Sequence, residues 1–203
     1  MKFKIIKETN KIDQKKLIQI VEIIKSQNNE SIISSLEPID LEKYLKKLLI
    51  FKNNYLFLAH VKKKIIGYII YTKPKTNYLT NKCKLYFLFC LLKKFKIISI
   101  LNLIFKITDL DKIFFSKQAN EIYTNSINLS YLGIIEKFQS KGIGKKLIYE
   151  TIKFFNIKKI ITVETYNKRA QKFYKKKCNF KKLGIKIQLF KKVEVFFLKT
   201  NKL

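Results

Sequence analysis

The sequence of this 203-residue chain is poor in arginine, glycine, proline and tryptophan. Arg169 is the only arginine, so lysine supplies nearly all of the formal charge of +30, from 44 Lys+Arg against 14 Asp+Glu. A charge of this size invites a polyanion or an anionic membrane as a partner. Proteins that read nucleic acids, however, usually use arginine for bidentate contacts with bases and phosphates. We therefore attribute most of the lysine to AT-rich codons and expect no nucleic-acid partner.

Cysteine is also scarce, and its placement predicts neither a disulfide framework nor a metal site. Cys83, Cys90 and Cys178 form no CxxC pair and have no histidine cluster nearby, which is the pattern of a protein in a reducing compartment. The first ten residues lack the apolar stretch of about 7–15 residues that marks a signal peptide. We expect a cytoplasmic protein that holds no metal.

The remaining sequence has the alternation of an α/β protein. Its hydrophobic fraction of 47% excludes a disordered chain, and its length suits one compact domain over 1–203. Hydrophobic periodicity predicts strands at 3–8, 55–61, 65–71, 127–134 and 159–164, helices at 13–27, about 40–51, 142–156 and 168–177, and a hairpin over 181–199 with its turn near Lys191-Lys192. This order predicts a mixed sheet flanked by helices.

A segment at about 73–120 interrupts that alternation. Its two apolar stretches, 85–92 and 97–105, are separated by lysines, and neither reaches the ~18 residues of a membrane span. We expect two short helices inserted between the third and fourth strands. Such a basic, apolar insert is suited to cover an acceptor site, to contact a nucleotide-sugar diphosphate, or to lie through 83–107 on the inner face of an anionic membrane. An extra helical layer or a dimer contact is the structural alternative.

Three of the five glycines fall in one strand-loop-helix stretch, 129–144. An apolar strand there enters the loop Gln139-Ser-Lys-Gly-Ile-Gly144, which opens an amphipathic helix. At such a junction backbone N–H groups converge, the helix dipole adds positive charge, and glycine lets a phosphate approach the main chain. Gly142 and Gly144 that merely shape a turn are the alternative. The concentration of glycine in a glycine-poor chain favours a phosphate site.

The loop resembles the signature Gln/Arg-x-x-Gly-x-Gly/Ala of the GNAT superfamily of acetyl-coenzyme A-dependent N-acetyltransferases. The preceding Leu132-Gly133-Ile134 is similar to the family segment that hydrogen-bonds the pantetheine arm. A second family motif, Asn-x-x-Ala-x-x-Phe-Tyr, is matched by Asn167 to Tyr174 and followed by the aromatic Phe180. The match departs at 177–180, where the family has a glycine and one residue fewer; Asn179 suits the left-handed conformation of a helix C-cap.

This resemblance implies a GNAT-like mixed central sheet and acetyl-coenzyme A as cosubstrate, with no metal. It assigns binding of that cosubstrate to Leu132, Gly133, Ile134, Gln139, Ser140, Lys141, Gly142, Ile143, Gly144, Lys145, Asn167 and Tyr174. In this assignment the backbone N–H at about Ile134 polarises the thioester carbonyl, Asn167 binds the pantetheine arm, and Tyr174 protonates the leaving sulfur. An ordinary packed aromatic is the alternative for Tyr174.

The general base is left open by the sequence. Glu164, at the end of a strand, is the candidate catalytic carboxylate, and Glu121, ahead of the central strand, is a second one. Each is better explained as a solvated or ion-paired carboxylate, and a chain of water molecules can replace a base. His60, the only histidine, titrates near neutrality in its ordinary state but also fits an incidental strand residue.

The acceptor that we expect is a small primary amine, in particular a nucleotide-linked amino sugar. The insert at 73–120 is similar in composition to one in GNAT proteins associated with surface-polysaccharide synthesis. Two alternatives stay open: acetylation of a protein N-terminus or lysine, and a non-catalytic protein that keeps the fold and binds a polyanion. The sequence predicts neither the oligomeric state nor the length of the acyl chain.

Overall fold

The computed structural model describes residues 3–8, 12–27, 33–34, 36–51, 54–73, 86, 89, 114–155, 159–188 and 191–200. The chain forms two compact units. The first consists of Met1–Thr72 with Ser130–Phe155, and the second of Lys73–Leu129 with Asn156–Leu203. The helices predicted at 85–92 and 97–105, and the membrane contact predicted through 83–107, lie outside the described residues except for Tyr86 and Phe89.

Among the described residues, seven strands and five α-helices alternate much as the periodicity predicts. The strands are β1 (Lys4–Glu8), β2 (Tyr55–Val61), β3 (Lys64–Thr72), β4 (Ile127–Ile134), β5 (Ile160–Thr165), β6 (Lys181–Gln188) and β7 (Lys191–Lys199). The helices are α1 (Gln14–Ser26), α2 (Pro38–Leu49), α3 (Lys117–Thr124), α4 (Ile143–Ile152) and α5 (Lys168–Lys172), with a 3-10 turn at Glu136–Phe138 and a π-helical turn at Phe173–Lys177.

The sheet is mixed, with the strand order β1-β2-β3-β4-β5-β7-β6. β1, β2 and β3 pair antiparallel, and so do β5, β7 and β6. β4 pairs parallel with β5, through Ile127–Leu129 against Ile161–Val163. The predicted mixed sheet with flanking helices is therefore confirmed. No helix among the described residues is long and apolar enough to cross a membrane.

The first unit is held by the apolar faces of α1, α2 and α4. Leu17, Ile20, Val21 and Ile24 of α1 are buried, as the helical period predicts. α2 begins at Pro38 itself, whose fixed φ suits the first position of a helix. Burial of each aliphatic side chain of this kind contributes about 1.5–3 kcal/mol to folding. These buried stripes hold the three helices in the first unit.

α4 ends at Ile152, earlier than the predicted residue 156. The reason is an aromatic cluster in the first unit. The ring centroid of Phe155 lies 5.2 Å from that of Tyr55 and 5.0 Å from that of Tyr71, both edge to face. Edge-to-face pairs are favourable beyond the area that they bury, so leaving the helix places Phe155 in better contacts than another helical turn.

The second unit is built on β5, β7 and β6. Val163, Val195 and Phe196 are buried in it, and α3 begins at a Ser116 side chain that accepts a hydrogen bond from the Ala119 N–H at 3.1 Å. The predicted hairpin over 181–199 is present, with β6 and β7 paired antiparallel. Its turn comes slightly earlier than predicted, because Lys191 and Lys192 already belong to β7, where Lys192 pairs with Ile187 and Lys191 with Gln188.

Candidate active site

The loop between β4 and α4 adopts two left-handed backbone conformations in quick succession. Ser140 has φ 59° and Gly142 has φ 77°, and Gly142 is the N-cap of α4. The first N–H groups of a helix have no intrahelical acceptor, and left-handed residues that alternate with right-handed ones turn neighbouring N–H groups into one concavity. The loop has the backbone of an anion site, of the kind that a pyrophosphate fits.

The surroundings of the loop are cationic and open. Lys141 and Lys145 are exposed, and the ammonium groups of Lys137 and Lys141 lie 5.2 and 5.6 Å from the ring centroid of Phe138. A Cβ added at Gly142 would meet no atom within 4 Å. An anion can therefore reach the main chain here without displacing a side chain.

The loop is tied back to the end of β4 by the first residue of the signature. The Gln139 side-chain amide donates to the Ile134 carbonyl at 3.0 Å. The adjacent Gly133 is tightly enclosed: a Cβ there would lie 2.3 Å from the Tyr68 ring. The first unit thus brings together two of the predicted groups, Leu132–Ile134 and Gln139–Lys145.

The second motif is carried by the second unit and begins with a helix cap. The Asn167 side-chain oxygen accepts hydrogen bonds from the N–H groups of Arg169 at 2.9 Å and Ala170 at 3.1 Å. Asparagine is among the residues preferred at an N-cap because its side chain satisfies these N–H groups. The cap explains why an asparagine suits the first position of this motif. The side-chain oxygen is used by the cap, so the side-chain NH2 group of Asn167 is the part that can donate to a ligand.

Tyr174 lies in the π-helical turn that follows α5. The Cys178 N–H donates to the Phe173 carbonyl, five residues earlier, at 3.2 Å. A π-turn takes up one residue more than an α-turn, and it accommodates the extra residue by which the chain departs from the family motif. Asn179 then takes the left-handed conformation expected of it, with φ 56°.

The Tyr174 side chain is buried, with its ring 5.2 Å from the Phe173 ring and 5.5 Å from the Phe180 ring between centroids. Burial, with a smaller contribution from nearby Cys178, raises the pKa of the Tyr174 phenol well above its ordinary value. A neutral phenol loses less solvation than a phenolate when it is buried. The hydroxyl is therefore fully protonated at neutral pH, which is the state that a proton donor requires.

Glu164, the candidate base, belongs to a buried charged group in the second unit. The Lys186 ammonium lies 3.0 Å from the Glu164 carboxylate and donates to the Tyr123 hydroxyl at 2.8 Å, and the Tyr123 hydroxyl donates to the same carboxylate oxygen. Only 3% of the Lys186 side chain is exposed. Lys186 and Tyr123 escape a sequence analysis, because nothing in a lysine-rich strand marks the one lysine that turns inward.

The two other titratable candidates have different surroundings. Glu121 is exposed on α3. His60 lies on β2, where its Nε2 atom is buried and has no hydrogen-bond partner among the described residues. Burial lowers the pKa of His60, although the nearby Glu8 carboxylate opposes the shift. In the part of the chain that the structure describes, no group of three His, Cys, Asp or Glu residues could hold a metal ion.

Comparisons with known proteins agree with both motifs. The sequence model of the acetyltransferase (GNAT) family matches residues 107–180, which include Leu132–Ile134, the loop at 139–145 and the segment from Asn167 to Phe180. No curated protein matches the chain.

Solved structures share the fold over nearly the whole chain at low identity. A chimeric spermidine N-acetyltransferase from Vibrio cholerae is 14% identical, with a TM-score of 0.61, and the match covers 98% of this chain and 96% of the other. An acetyltransferase from Thermus thermophilus is 11% identical, with a TM-score of 0.59 and 98% and 97% covered. A GNAT-family acetyltransferase from Bacillus cereus is 13% identical, with a TM-score of 0.55 and 98% of each chain covered. The acetyltransferase (GNAT) family model thus matches the part of the chain that carries both motifs, and the fold is similar to that of solved GNAT acetyltransferases, enzymes that use acetyl-coenzyme A and need no metal.

Proposed function

We propose that this acetyltransferase acetylates the primary amine of a small acceptor, and that the acceptor is an amino sugar carried on a nucleotide diphosphate. The observation that carries the cosubstrate side is the pair of left-handed residues, Ser140 and Gly142, at the start of α4. Such a loop suits a diphosphate, because several N–H groups and a helix N-terminus face one anion. Lys141 and Lys145 add exposed positive charge beside it.

Residues 132–134 and 139–145 would divide the binding of acetyl-coenzyme A between them. The N–H groups of Gln139 to Lys145 would bind the pyrophosphate, and the main chain of Leu132–Ile134 would pair with the pantetheine arm. The Ile134 N–H would donate to the thioester carbonyl, where negative charge develops as the amine attacks. Asn167 would add a side-chain N–H to the arm while its oxygen continues to cap α5.

Acetyl transfer then needs one bond to form, one to break and two protons to move. The lone pair of the neutral amine attacks the carbonyl carbon, forming the N–C bond, and the C–S bond breaks with its electron pair leaving on sulfur. Tyr174 would give its phenolic proton to that sulfur, since its hydroxyl is protonated at neutral pH as a proton donor must be. The proton released by the amine would pass to Glu164 or through water to solvent.

The charge of the chain supports an acceptor that carries negative charge. A formal charge of +30 repels a polycation and attracts an anion over distances of about 8–10 Å at physiological salt. A nucleotide-linked amino sugar combines a nucleophilic amine with a diphosphate. Spermidine, which the Vibrio cholerae neighbour is named for acetylating, is a polycation and is disfavoured by the same field.

The same charge leaves acidic peptides as a second acceptor class, through transfer to a protein N-terminus or lysine. Their carboxylates would gain the same attraction as a diphosphate, but a peptide lacks the compact pairing of amine and diphosphate. A panel of acceptors separates the two classes, because each predicts a different member as the best substrate.

The test is release of coenzyme A thiol from acetyl-coenzyme A with four acceptors: a uridine-diphosphate amino sugar, the free amino sugar, spermidine and an acidic peptide. We expect the highest kcat/KM with the nucleotide-linked sugar and a decline of that value as salt increases. A higher kcat/KM for spermidine would contradict the acceptor assignment. The non-catalytic alternative predicts three results together: no thiol release with any of the four acceptors, no thermal shift with coenzyme A, and steeply salt-dependent binding to a polyanion.

A further inference from the structure

We infer that Gln27, at the end of α1, is a positioning residue for the backbone of Ile134, whose N–H is the group that would polarise the thioester carbonyl. The inference rests on the proposed role of the Ile134 N–H and extends it to a residue outside both motifs. All of the atoms involved belong to the first unit.

The Ile134 carbonyl is held by two side-chain amides. Gln139 Nε2 donates to it at 3.0 Å and Gln27 Nε2 at 3.3 Å. Gln139 belongs to the signature loop, whereas Gln27 comes from a helix more than a hundred residues earlier in the sequence. A carbonyl with two donors keeps its direction when one of them shifts, so the pair fixes the peptide more firmly than Gln139 alone would.

The same peptide group is also held at its nitrogen end. The Ile135 N–H donates to the Ile66 carbonyl of β3 at 2.9 Å. A Cβ added at Gly67 on β3 would lie 2.9 Å from the Gly133 oxygen, so that oxygen also faces β3. Successive residues of a strand direct their N–H and C=O groups to alternate edges. The Ile134 N–H and C=O therefore point away from β3, on the side where Gln27 and Gln139 hold the carbonyl.

Gln27 is itself held in place by the helix that it ends. Its own N–H caps α1 by donating to the Ile23 carbonyl at 3.3 Å, and Leu17, Ile20 and Ile24 anchor the helix in the core. Gly133 makes the approach possible, because a Cβ at that position would lie 2.9 Å from Gln27 Nε2. A requirement for this contact gives a physical reason for a glycine at 133 in a chain that uses so few.

The consequence for catalysis is specific to the thioester. Coenzyme A and acetyl-coenzyme A share the pyrophosphate and the pantetheine arm, but only acetyl-coenzyme A has the carbonyl that the Ile134 N–H would contact. Loss of the Gln27 hydrogen bond should therefore weaken acetyl-coenzyme A relative to coenzyme A and lower kcat. Because misplacement of an oxyanion donor is costly even at small displacements, we expect kcat to fall about 10-fold.

The experiment uses Gln27→Met, which keeps the length of the side chain but cannot donate, and Gln27→Lys, which restores a donor. Gln19→Met is the matched control. Gln19 is on the same helix and bonds the backbone N–H of Ile65 on β3 at 3.3 Å, so its loss removes a helix-to-strand hydrogen bond away from β4. The dissociation constants of coenzyme A and acetyl-coenzyme A are measured by calorimetry. The carbonyl of bound [1-13C]acetyl-coenzyme A is followed by NMR, since a hydrogen bond to it moves its resonance downfield.

We expect the downfield shift of the bound carbonyl in the wild type and in Gln19→Met, a smaller shift in Gln27→Met, and recovery in Gln27→Lys. Coenzyme A should bind all four proteins equally. An unchanged carbonyl resonance and an unchanged kcat in Gln27→Met would overturn the inference while leaving the acetyltransferase assignment intact. An equal loss of affinity for coenzyme A and acetyl-coenzyme A would also overturn it, because that result marks a merely structural residue. A wild type that neither shifts the carbonyl nor releases thiol would instead refute the proposed function itself.

Discussion

The two motif regions of this chain are built from different parts of the polypeptide. The loop at 139–144 depends on backbone conformation: Ser140 and Gly142 are left-handed, a Cβ at Gly142 would meet no atom within 4 Å, and the chemistry of the loop would come from N–H groups. The segment at 167–180 depends on side chains: an asparagine that caps, a buried tyrosine, and two phenylalanine rings around it. Substitutions in the first region should therefore change ligand affinity, and substitutions in the second should change either the chemical step or stability.

The largest effect is expected for Tyr174→Phe. The variant keeps the ring contacts with Phe173 and Phe180 but removes the proton that the leaving sulfur needs, so kcat should fall about 100-fold or more, with little change in the dissociation constant of acetyl-coenzyme A. Tyr71→Phe is the control. It deletes another buried hydroxyl, which hydrogen-bonds Thr151 at 2.8 Å, and should lower stability without lowering kcat. Wild-type turnover by Tyr174→Phe would remove the acid assignment.

The next effect tests the backbone nature of the loop. Gly142→Ala creates no clash, since no atom lies within 4 Å of the added Cβ, but an L-residue with φ near 77° costs about 1–2 kcal/mol. We expect coenzyme A to bind about 10-fold more weakly, with kcat at saturation preserved. Gly144→Ala, inside α4, should bind normally, because alanine favours a helix. Equal behaviour of the two variants would mean that the left-handed turn is unimportant for binding.

A smaller effect separates the two roles of Asn167. Asn167→Ala should lower the free energy of unfolding by about 1 kcal/mol, because the N–H groups of Arg169 and Ala170 lose their cap. Asn167→Asp keeps an oxygen at the cap and should restore stability, measured by urea denaturation. If the side-chain NH2 group also binds the pantetheine arm, acetyl-coenzyme A affinity stays reduced in Asn167→Asp. Full recovery of both properties would leave only the cap.

The smallest effect concerns the pH dependence of the stability of the first unit. Burial lowers the pKa of His60 below its ordinary value of 6.5, against Glu8 and in the same sense as Lys16 and Lys4. Below pH 6.5 the unfolded chain takes up a proton before the folded one, so the free energy of unfolding should decline as the pH falls through that range and be unaffected above it. His60→Gln should flatten the decline between pH 6.5 and the folded-state pKa. An identical pH profile for both proteins would show that His60 does not contribute to it.

The sequence predicts those features of the structure that depend on neighbouring residues, and misses those that depend on contacts between residues distant in sequence. The strand at 127–134, the left-handed Asn179 and the glycine loop follow from periodicity and backbone preferences. The end of α4 does not, because it is set by the contacts of Phe155 with Tyr55 and Tyr71. The pairing of Lys186 with Glu164 does not either, because it joins two strands through one lysine among many. Gln27 is hidden for the same reason, since its partner Ile134 is distant in sequence.

The π-helical turn at Phe173–Lys177 shows how this chain tolerates a change in length inside a conserved-looking motif. One additional residue enters the helix as a local widening, and the hydrogen bond from the Phe180 N–H to the Tyr174 carbonyl, at 3.0 Å, still closes the segment. The tyrosine keeps its aromatic neighbours although the spacing to the next phenylalanine has grown. The difference of one residue is thus absorbed in the hydrogen bonding of one turn, between Phe173 and Cys178, rather than in the contacts of the Tyr174 ring.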